Sequence, residues 1–290
     1  MQSHLKPPAP DTYQDLVRIA LSEDIGPGDL TSNLVIPEAA IGSARIEART
    51  ELVVSGLFVA SDVSLRVDPE IRVEILADEG ERVEAGRVLM RLHGSLRSIL
   101  AAERTALNFL GRLCGISTLT QRYVSEVAHT ECKIVDTRKT MPGWRALDKF
   151  AVVCGGGTNH RFALYDGILL KDNHRAAAGS VEAAVRAALA GADPGIRVQV
   201  EVESLEDAEI ACDAGADFLL LDNQSPAQVR AIVERLAGVA LLEASGGITL
   251  DNLREYAESG VHRISLGVLT HSAPSADVSL EFETQDDSHV

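Results

Sequence analysis

The sequence predicts an α/β protein with an N-terminal α+β sandwich domain followed by an open parallel α/β barrel. Three features of the 290 residues support this prediction. Between residues 44 and 93, short β-type runs alternate with turn residues. A helical pattern then extends from about residue 96 to 127. Beyond residue 130, strand-like and helix-like segments alternate at the spacing of βα units.

Six apolar segments beyond residue 130 are the candidate barrel strands. They lie at 133–138, 168–173, 198–204, 218–223, 241–247 and 263–268. Helical patterns lie between the later ones, near 181–190, 205–214, 226–237 and 250–259. Each predicted strand ends in polar residues or glycine, and barrels of this kind carry their active sites at that end of the strands.

The change of pattern sets the domain boundaries. We assign the sandwich domain to residues 1–115 and the barrel, with its active site, to 116–272. The tail, 273–290, contains DVSLEFE, which predicts one more strand. We expect this tail to pack back on the sandwich domain.

Composition excludes several classes of function. The formal net charge of −16 argues against nonspecific binding to nucleic acid or to an anionic membrane. No apolar run approaches the length of a bilayer span, and no secretory signal is evident at the N-terminus. The four cysteines show neither CxxC nor zinc-ligand spacing, so we expect reduced thiols and a cytoplasmic protein.

Cationic side chains cluster between residues 136 and 174, although the chain as a whole is acidic. Arg138 offers a fork of donors that matches a carboxylate or phosphate, and Lys139 adds a point charge beside it. If this pair stood alone, two solvated charges at a strand end would be an equally good interpretation. The whole cluster favours a small polyanionic ligand, and its members are Arg138, Lys139, His160, Arg161, Lys171 and His174.

Arg104 lies on the apolar stripe of the long helical pattern, four residues after Leu100 and three before Leu107. Burying an unpaired guanidinium is very costly, so Arg104 needs a partner. Two alternatives remain open. One is an internal salt bridge, with Glu103 or with an acid on a nearby strand, and the other is an anionic ligand.

Two acidic residues lie at the ends of adjacent predicted strands. The segment VQVEVES alternates strictly, so Glu201 shares one face with Gln199 and Glu203, and carboxylates are unusual on a buried parallel strand. Asp222 ends the next strand. The two acids suit a divalent metal or the hydroxyls of a sugar. The alternative is that they cap the helices that follow.

Small residues end the fifth and sixth predicted strands, as SGG at 245–247 and LGV at 266–268. In barrels, loops after the late strands bind phosphate through main-chain N–H groups. Either motif alone is a weak signal. Their positions at consecutive strand ends favour a phosphate site.

Together, these motifs resemble those of the quinolinate phosphoribosyltransferase family. The resemblance covers nearly the whole chain and rests on long motifs in a fixed order. They are EDIGPGDLTS, ERTALNFLGRLCGIST, DTRKTMPGWRALDKFAVVCGGGTNHR, LLKDNH, VEVES, LLLDN, EASGGI and ISLGVLTHS.

The resemblance implies a pentosyltransferase of de novo NAD biosynthesis. Its substrates are quinolinate and 5-phosphoribosyl-1-pyrophosphate, used with Mg²⁺, and its products are nicotinate mononucleotide, pyrophosphate and CO₂. It also implies a homodimer, or a hexamer built as a trimer of dimers, in which Arg104 reaches the active site of a neighbouring subunit.

The resemblance further assigns roles to individual residues. The implied substrate-binding residues are Arg104, Thr137, Arg138, Lys139, His160, Arg161, Lys171, Glu201, Asp222, Ser245, Gly246, Gly247, Leu266, Gly267 and Val268. The implied catalytic residues are Lys139, Glu201 and Asp222. Glu201 and Asp222 are also the implied metal ligands, directly or through water.

Other functions stay open at this point. A related transferase for nicotinate or another pyridine, or a molybdenum-associated paralogue, needs fewer cations than this chain has. A noncatalytic carrier is suggested by ADEGERVEAGRVLMRLHG, which resembles the hairpins of biotinyl and lipoyl domains. No lysine lies at the tip of that hairpin to be modified, which argues against a carrier.

Overall fold

The computed structural model describes residues 5–283. The helices of this part are α1 (Gln14–Ile25), α2 (Leu30–Val35), α3 (Leu57–Val67), α4 (Leu96–Glu126), α5 (Arg145–Cys154), α6 (Asp172–Ala178), α7 (Val181–Gly191), α8 (Leu205–Asp213), α9 (Pro226–Arg235), α10 (Leu253–Ala257) and α11 (Val268–His271). The strands are β1 (Ile41–Ala48), β2 (Leu52–Val53), β3 (Arg72–Ile75), β4 (Arg82–Val83), β5 (Val88–Ser95), β6 (Lys133–Val135), β7 (Ile168–Leu170), β8 (Val198–Val202), β9 (Phe218–Asp222), β10 (Leu241–Ser245), β11 (Arg263–Ser265) and β12 (Val278–Phe282).

The chain divides into two compact units, each built from separate stretches. The first comprises residues 1–121, 140–156 and 269–290, and the second comprises 122–139 and 157–268. This division differs from the boundary placed at 115 and 116, because α4 continues past that point and α5 belongs to the first unit. Residues 284–290 of the assigned tail lie outside the described part of the chain.

An antiparallel sheet forms the centre of the first unit. Its strand order is β12–β1–β5–β3, and β2 pairs with β4 separately. In β1, Ala44, Ile46 and Ala48 are buried and alternate with more exposed residues, as in a sheet with one covered face. The strand expected in the tail is β12, which pairs with β1 from Phe282 to Val278.

Helix α3 was not expected from the sequence. Its residues, LFVASDVSLRV, are rich in β-branched side chains, which favour strands locally. Gly56 precedes the helix with a φ of +100°. The half-buried Glu79 accepts, through its carboxylate, the main-chain N–H groups of Gly56 at 2.8 Å and Phe58 at 3.5 Å. An acid distant in sequence therefore satisfies donors that a local cap would otherwise satisfy.

The C-terminal stretch passes directly over α4 within the first unit. The N–H of Ala276 donates to the carbonyl oxygen of Gly111 at 2.8 Å. A Cβ on Gly115 would meet the carbonyl oxygen of Pro274 at 2.0 Å. Glycine at position 115 is therefore required for this close approach of two main chains.

A buried ion pair also lies in the first unit. Asp148 of α5 is fully buried, and its two oxygens accept hydrogen bonds from Arg112 of α4 at 3.0 and 2.8 Å. Arg112 also donates to the carbonyl oxygen of Thr270 in α11, at 3.1 Å. Burial raises the pKa of Asp148, and Arg112 opposes that rise. The pair joins helices from three separate stretches of the chain.

The second unit contains a parallel sheet with the order β6–β11–β10–β9–β8–β7. All five residues of β8 are buried, as expected for a strand covered on both faces. Beside β6, Thr158 makes an isolated parallel bridge to Val135. The six strands and the helices between them confirm the predicted open parallel α/β barrel, and parallel order brings the carboxyl ends of the strands to one rim.

Along residues 5–283, we find no helix that is both long enough and apolar enough to cross a bilayer.

Candidate active site

Two arginines form the cationic part of the site. Arg138 follows β6, and Arg161 follows the neighbouring bridge at Thr158. Burial, and then the nearby Arg138, lower the pKa of Arg161, whose Nη1 donates to the carbonyl oxygen of Gly167 at 2.8 Å. The Nε of Arg138 is buried and has no hydrogen-bond partner within residues 5–283. Adjacent guanidinium groups with an unused buried donor indicate an anion-binding site.

Lys171 lies directly after β7, and its Nζ is 3.3 Å from Oε2 of Glu201 in β8. The side chain of Lys171 is 50% exposed, so water screens this pair and breaking it costs little. His174 Nδ1 accepts the main-chain N–H of Lys171 at 3.0 Å, which fixes the turn into α6. The structure therefore joins a predicted cation directly to a predicted acid.

Neither Glu201 nor Asp222 caps a helix, so the capping alternative is wrong. Ser204 caps α8 and Ser225 caps α9, each through its hydroxyl oxygen. Asp222 instead ends β9 at the rim, where one of its carboxylate oxygens accepts the side-chain amide of Asn223 at 2.7 Å. Both acids thus remain available to a ligand at the rim.

The loop after β10 is fixed by glycine. Gly246 and Gly247 have φ values of +91° and +63°, a region that favours glycine. A Cβ on Gly246 would meet Oδ1 of Asn223 at 2.1 Å. Asn223 has a φ of +53°, and its N–H donates to the carbonyl oxygen of Ser245 at 2.9 Å. This packing holds the SGG loop beside Asp222.

Two further turns lie at the same rim. Oγ1 of Thr137 accepts the N–H of Lys139 at 3.0 Å, which shapes the turn after β6 and leaves Lys139 exposed. The N–H of Leu266 donates to the carbonyl oxygen of Val135 at 2.9 Å. Gly267 follows, and α11 begins at Val268. The turns after β6 and β11 are therefore neighbours.

His160 is held from several sides. Its Nδ1 accepts the N–H of Arg161 at 2.7 Å, and its Nε2 lies 2.8 Å from Oε1 of Gln199 and 3.5 Å from Oε1 of Glu243. Its own N–H donates to Oδ1 of Asp136 at 2.8 Å. The side chain is 11% exposed. These contacts fix the orientation of the His160 ring beside Arg161.

Sequence reasoning missed two buried acids below the rim, Asp136 and Glu243, and gave Gln199 no role. Both carboxylate oxygens of Glu243, and Nε2 of Gln199, have no hydrogen-bond partner in the described part of the chain. Burial raises the pKa of Glu243 to about 7, although Ser265, Arg263 and Gln199 lower it. A signal for Glu243 was present, because an acid inside the run LLEAS of a strand covered on both faces is unusual.

Comparison with known proteins agrees with this geometry. The N-terminal domain of quinolinate phosphoribosyl transferase matches residues 29–114, and its C-terminal domain matches residues 116–281. The chain belongs to the quinolinate phosphoribosyltransferase family. It is 41% identical over 266 residues to the probable nicotinate-nucleotide pyrophosphorylase (carboxylating) of Bacillus subtilis, which covers 92% of each chain. It is 40% identical to the Mycobacterium leprae enzyme of that name, over 93% of this chain and 97% of the relative.

Solved structures support the same assignment. The nicotinate-nucleotide pyrophosphorylase of Francisella tularensis superposes with a TM-score of 0.92 at 36% identity, covering 98% of this chain and all of the other. Human nicotinic acid phosphoribosyltransferase superposes with a TM-score of 0.64 at 15% identity, covering 94% of this chain and 74% of the other. The second likeness shows a shared fold.

Of the two alternatives for Arg104, the structure shows the contact with Glu103, but in an exposed environment. Its side chain is 64% exposed, and its Nη2 lies 3.7 Å from Oε1 of Glu103. The expectation of a buried guanidinium was wrong because α4 turns position 104 outward while Thr105 and Leu107 are buried. An exposed pair at this distance contributes little, so the guanidinium can bind another group.

The acids of the rim fit only one kind of metal site. Within residues 5–283, no three His, Cys, Asp or Glu side chains converge as a metal cage. Glu201 already pairs with Lys171, and Asp222 accepts a hydrogen bond from Asn223. Mg²⁺ is often held by one or two carboxylates together with water and substrate phosphates, and Glu201 and Asp222 fit that arrangement.

Replacing Glu243 with Gln should change how the free energy of unfolding of the protein depends on pH. The pKa of Glu243 rises from 4.5 to about 7 on folding, so the folded protein retains a proton that the unfolded chain loses. The free energy of unfolding should therefore fall as pH rises between those values. E243Q cannot ionise at position 243, so its free energy of unfolding should fall less between pH 5 and 8. At pH 8 it should therefore be more stable relative to wild type than it is at pH 5. Urea unfolding at pH 5 and 8 measures this, and equal slopes in both proteins would contradict it.

Proposed function

We propose that this protein transfers the phosphoribosyl group of 5-phosphoribosyl-1-pyrophosphate to the ring nitrogen of quinolinate and releases pyrophosphate and CO₂. The product is nicotinate mononucleotide, a precursor in NAD biosynthesis. The observation that carries the proposal is the buried, unpartnered Nε of Arg138 beside Arg161. A strongly acidic chain that retains such a pair requires an anionic ligand, and quinolinate carries two adjacent carboxylates.

The cationic residues bind the acceptor. Arg138 and Arg161 each present a planar fork that matches one carboxylate. Lys171 can exchange its ion pair with Glu201 for one with a substrate carboxylate, because both pair its ammonium group with a carboxylate. His160 holds the main chain of Arg161 and so fixes where that guanidinium points.

The opposite side of the rim receives the donor. Main-chain N–H groups of the 245–247 and 266–268 loops bind the 5-phosphate of the ribose. Asp222 and Glu201 face the ribose, where positive charge develops as pyrophosphate leaves. Lys139 is exposed beside Arg138 and binds the leaving pyrophosphate.

The chemistry then needs little proton transfer. The pyridine nitrogen has its own lone pair, so it attacks the anomeric carbon without a general base. When the C–C bond to the adjacent carboxylate breaks and CO₂ leaves, the bonding electron pair stays on the ring carbon beside the pyridinium nitrogen, whose positive charge stabilises it. That ring carbon then takes up one proton from water. The protein contributes mainly by holding two mutually repelling anions in reacting geometry. Mg²⁺, when bound by the pyrophosphate with Asp222 and Glu201, supplies charge neutralisation for the leaving group.

A transferase for nicotinate is the alternative to exclude. The protein should release pyrophosphate and CO₂ in equal amounts from quinolinate and phosphoribosyl pyrophosphate. With nicotinate as acceptor, we expect little pyrophosphate, because a single carboxylate leaves one arginine unpaired. Efficient turnover of nicotinate, without CO₂ release from quinolinate, would contradict the proposal.

We also propose that the protein is a homodimer, or a hexamer of three dimers, in which Arg104 completes the site of a neighbouring subunit. The support is the exposure of the Arg104 guanidinium and its weak contact with Glu103. We place the protein in the cytoplasm, because Cys114, Cys132, Cys154 and Cys212 are all free thiols.

Mixing two inactive variants tests the shared site. An Arg104→Ala subunit retains Lys171, and a Lys171→Ala subunit retains Arg104, so a hybrid dimer contains one intact site. After full exchange in an equal mixture, activity should recover to about a quarter of wild type, because half of the dimers are hybrids with one of two sites intact. Each variant taken through exchange alone is the control. Verified exchange without recovery would contradict shared sites.

A further inference from the structure

Glu243 has no role in the chemistry proposed above, yet its burial is costly. It lies in β10, is fully buried, and has two carboxylate oxygens without a hydrogen-bond partner in the described part of the chain. Such a group destabilises a fold unless another requirement retains it. Its surroundings show what that requirement is.

The contacts of His160 define its hydrogen positions. Nδ1 accepts the N–H of Arg161, so in the neutral ring the hydrogen is on Nε2. Nε2 then donates to Oε1 of Gln199 at 2.8 Å, with Oε1 of Glu243 at 3.5 Å on the same side. Gln199 thus accepts the hydrogen bond of the ring, and the carboxylate of Glu243 lies close to the same nitrogen.

The same ring reaches the anion site through the main chain. Its Nδ1 fixes the N–H of Arg161, the residue whose guanidinium lies beside Arg138. The N–H of His160 is held by Asp136, which precedes the turn that carries Arg138. A change at Glu243 can therefore move both arginines without touching either.

We propose that Glu243 is a positioning residue for the acceptor substrate: its buried carboxyl orients the His160 ring and, through that ring, the main chain of Arg161. Around it lie His160, Gln199 and Arg263, with Ser265 and Asp136 also close. The charge of Arg263 favours the ionised form of the carboxyl and so opposes the rise of its pKa. The kinetic test of this inference rests on the proposed function, whereas its spectroscopic test does not.

Glu243→Leu removes the carboxylate and replaces it with an apolar side chain of similar size. We expect the KM for quinolinate to rise on the order of tenfold, because the His160 ring loses the carboxylate that lies 3.5 Å from its Nε2. The kcat should stay within about twofold and the KM for phosphoribosyl pyrophosphate should not change. Ser245 lies two residues further along the same strand, so general damage to β10 would raise that second KM as well.

Three comparisons make the test decisive. Glu243→Gln retains an acceptor oxygen and should restore most of the quinolinate affinity. In a His160→Gln background, Glu243→Leu should have almost no additional effect, since the ring through which it acts is gone. Glu182→Leu, which replaces an exposed acid of α7, is the control and should behave like wild type. An unchanged quinolinate KM in Glu243→Leu, or additive effects with His160→Gln, would overturn the proposal.

The substrate-free protein gives an independent readout. With ¹⁵N-labelled histidine, and with His160 assigned by its absence in His160→Gln, the ring should show hydrogen on Nε2. Glu243→Leu should shift that signal and Glu182→Leu should not. Should Glu243→Leu fail to fold, the same shift is sought in Glu243→Met, which also lacks the carboxyl group and is closer to Glu in length. A His160 signal that is indifferent to position 243 would overturn the inference, even if quinolinate proves to be the substrate.

Discussion

Arg138→Ala should weaken quinolinate binding on the order of 100-fold or more. The variant removes one of two guanidinium forks and leaves a substrate carboxylate in the site without its partner, a loss of about 3–5 kcal/mol. The expectation rests on the buried Nε of Arg138, which has no hydrogen-bond partner in the described part of the chain. Isothermal calorimetry with quinolinate measures the effect directly.

Arg186→Ala is the matched control for Arg138→Ala. Arg186 lies on α7, is 63% exposed, and pairs with Glu182 one helical turn away. Its loss should leave quinolinate affinity and folding unchanged. Equal affinity of Arg138→Ala and Arg186→Ala for quinolinate would remove Arg138 from the binding site.

Asp148→Ala should destabilise the protein by about 3–5 kcal/mol, because it leaves the guanidinium of Arg112 buried without its partner. Burial already raises the pKa of Asp148 despite the nearby cation, which shows how costly charge is at this position. Urea unfolding followed by circular dichroism measures the loss. The reaction itself does not involve this pair, so folded Asp148→Ala protein should retain turnover.

Two comparisons isolate the buried pair. Asp62→Ala breaks the more exposed Asp62–Arg66 pair of α3 and should cost less than about 1 kcal/mol. The double variant Arg112→Met with Asp148→Leu should lose less stability than Asp148→Ala alone, because no unpaired charge remains. A double variant that is less stable than the single one would show that the hydrogen bonds, and not the uncompensated charge, dominate.

The barrel was predictable because its strands carry their own signal. Each apolar run between 133 and 268 became a strand, but β6, β7 and β11 end about three residues earlier than predicted. The polar residues added to those strands form the rim turns instead. Turns such as the one at Thr137 are set by side-chain hydrogen bonds that an apolar pattern does not show.

The first unit was less predictable, since its elements depend on partners that are distant in sequence. Helix α3 begins with help from Glu79, more than twenty residues away. Helix α5 was not predicted, because its residues lie inside a long motif that was interpreted only as part of a binding site. The exposure of Arg104 depended on the orientation of α4, which the apolar stripe did not resolve.

Dependence on residues distant in sequence also separates the part of the candidate site that was predicted from the part that was missed. Arg138, Arg161 and Lys171 were predicted to belong to one site because clustered cations are unusual in an acidic chain. The support below them was not found, because His160 meets Gln199 across 39 positions of sequence and meets Glu243 across an even longer separation. Spacing within one segment gives no information on such contacts.

The pairing of β12 with β1 has a consequence for biosynthesis. Residues 41–48 are translated long before residues 278–282, the strand that covers one of their edges. Until that strand is made, the nascent N-terminal sheet therefore carries an open edge, which can pair with another chain. Premature termination before residue 278 would leave that edge open permanently, so truncated products should be targets for chaperones and proteases even though their barrel sequence is complete.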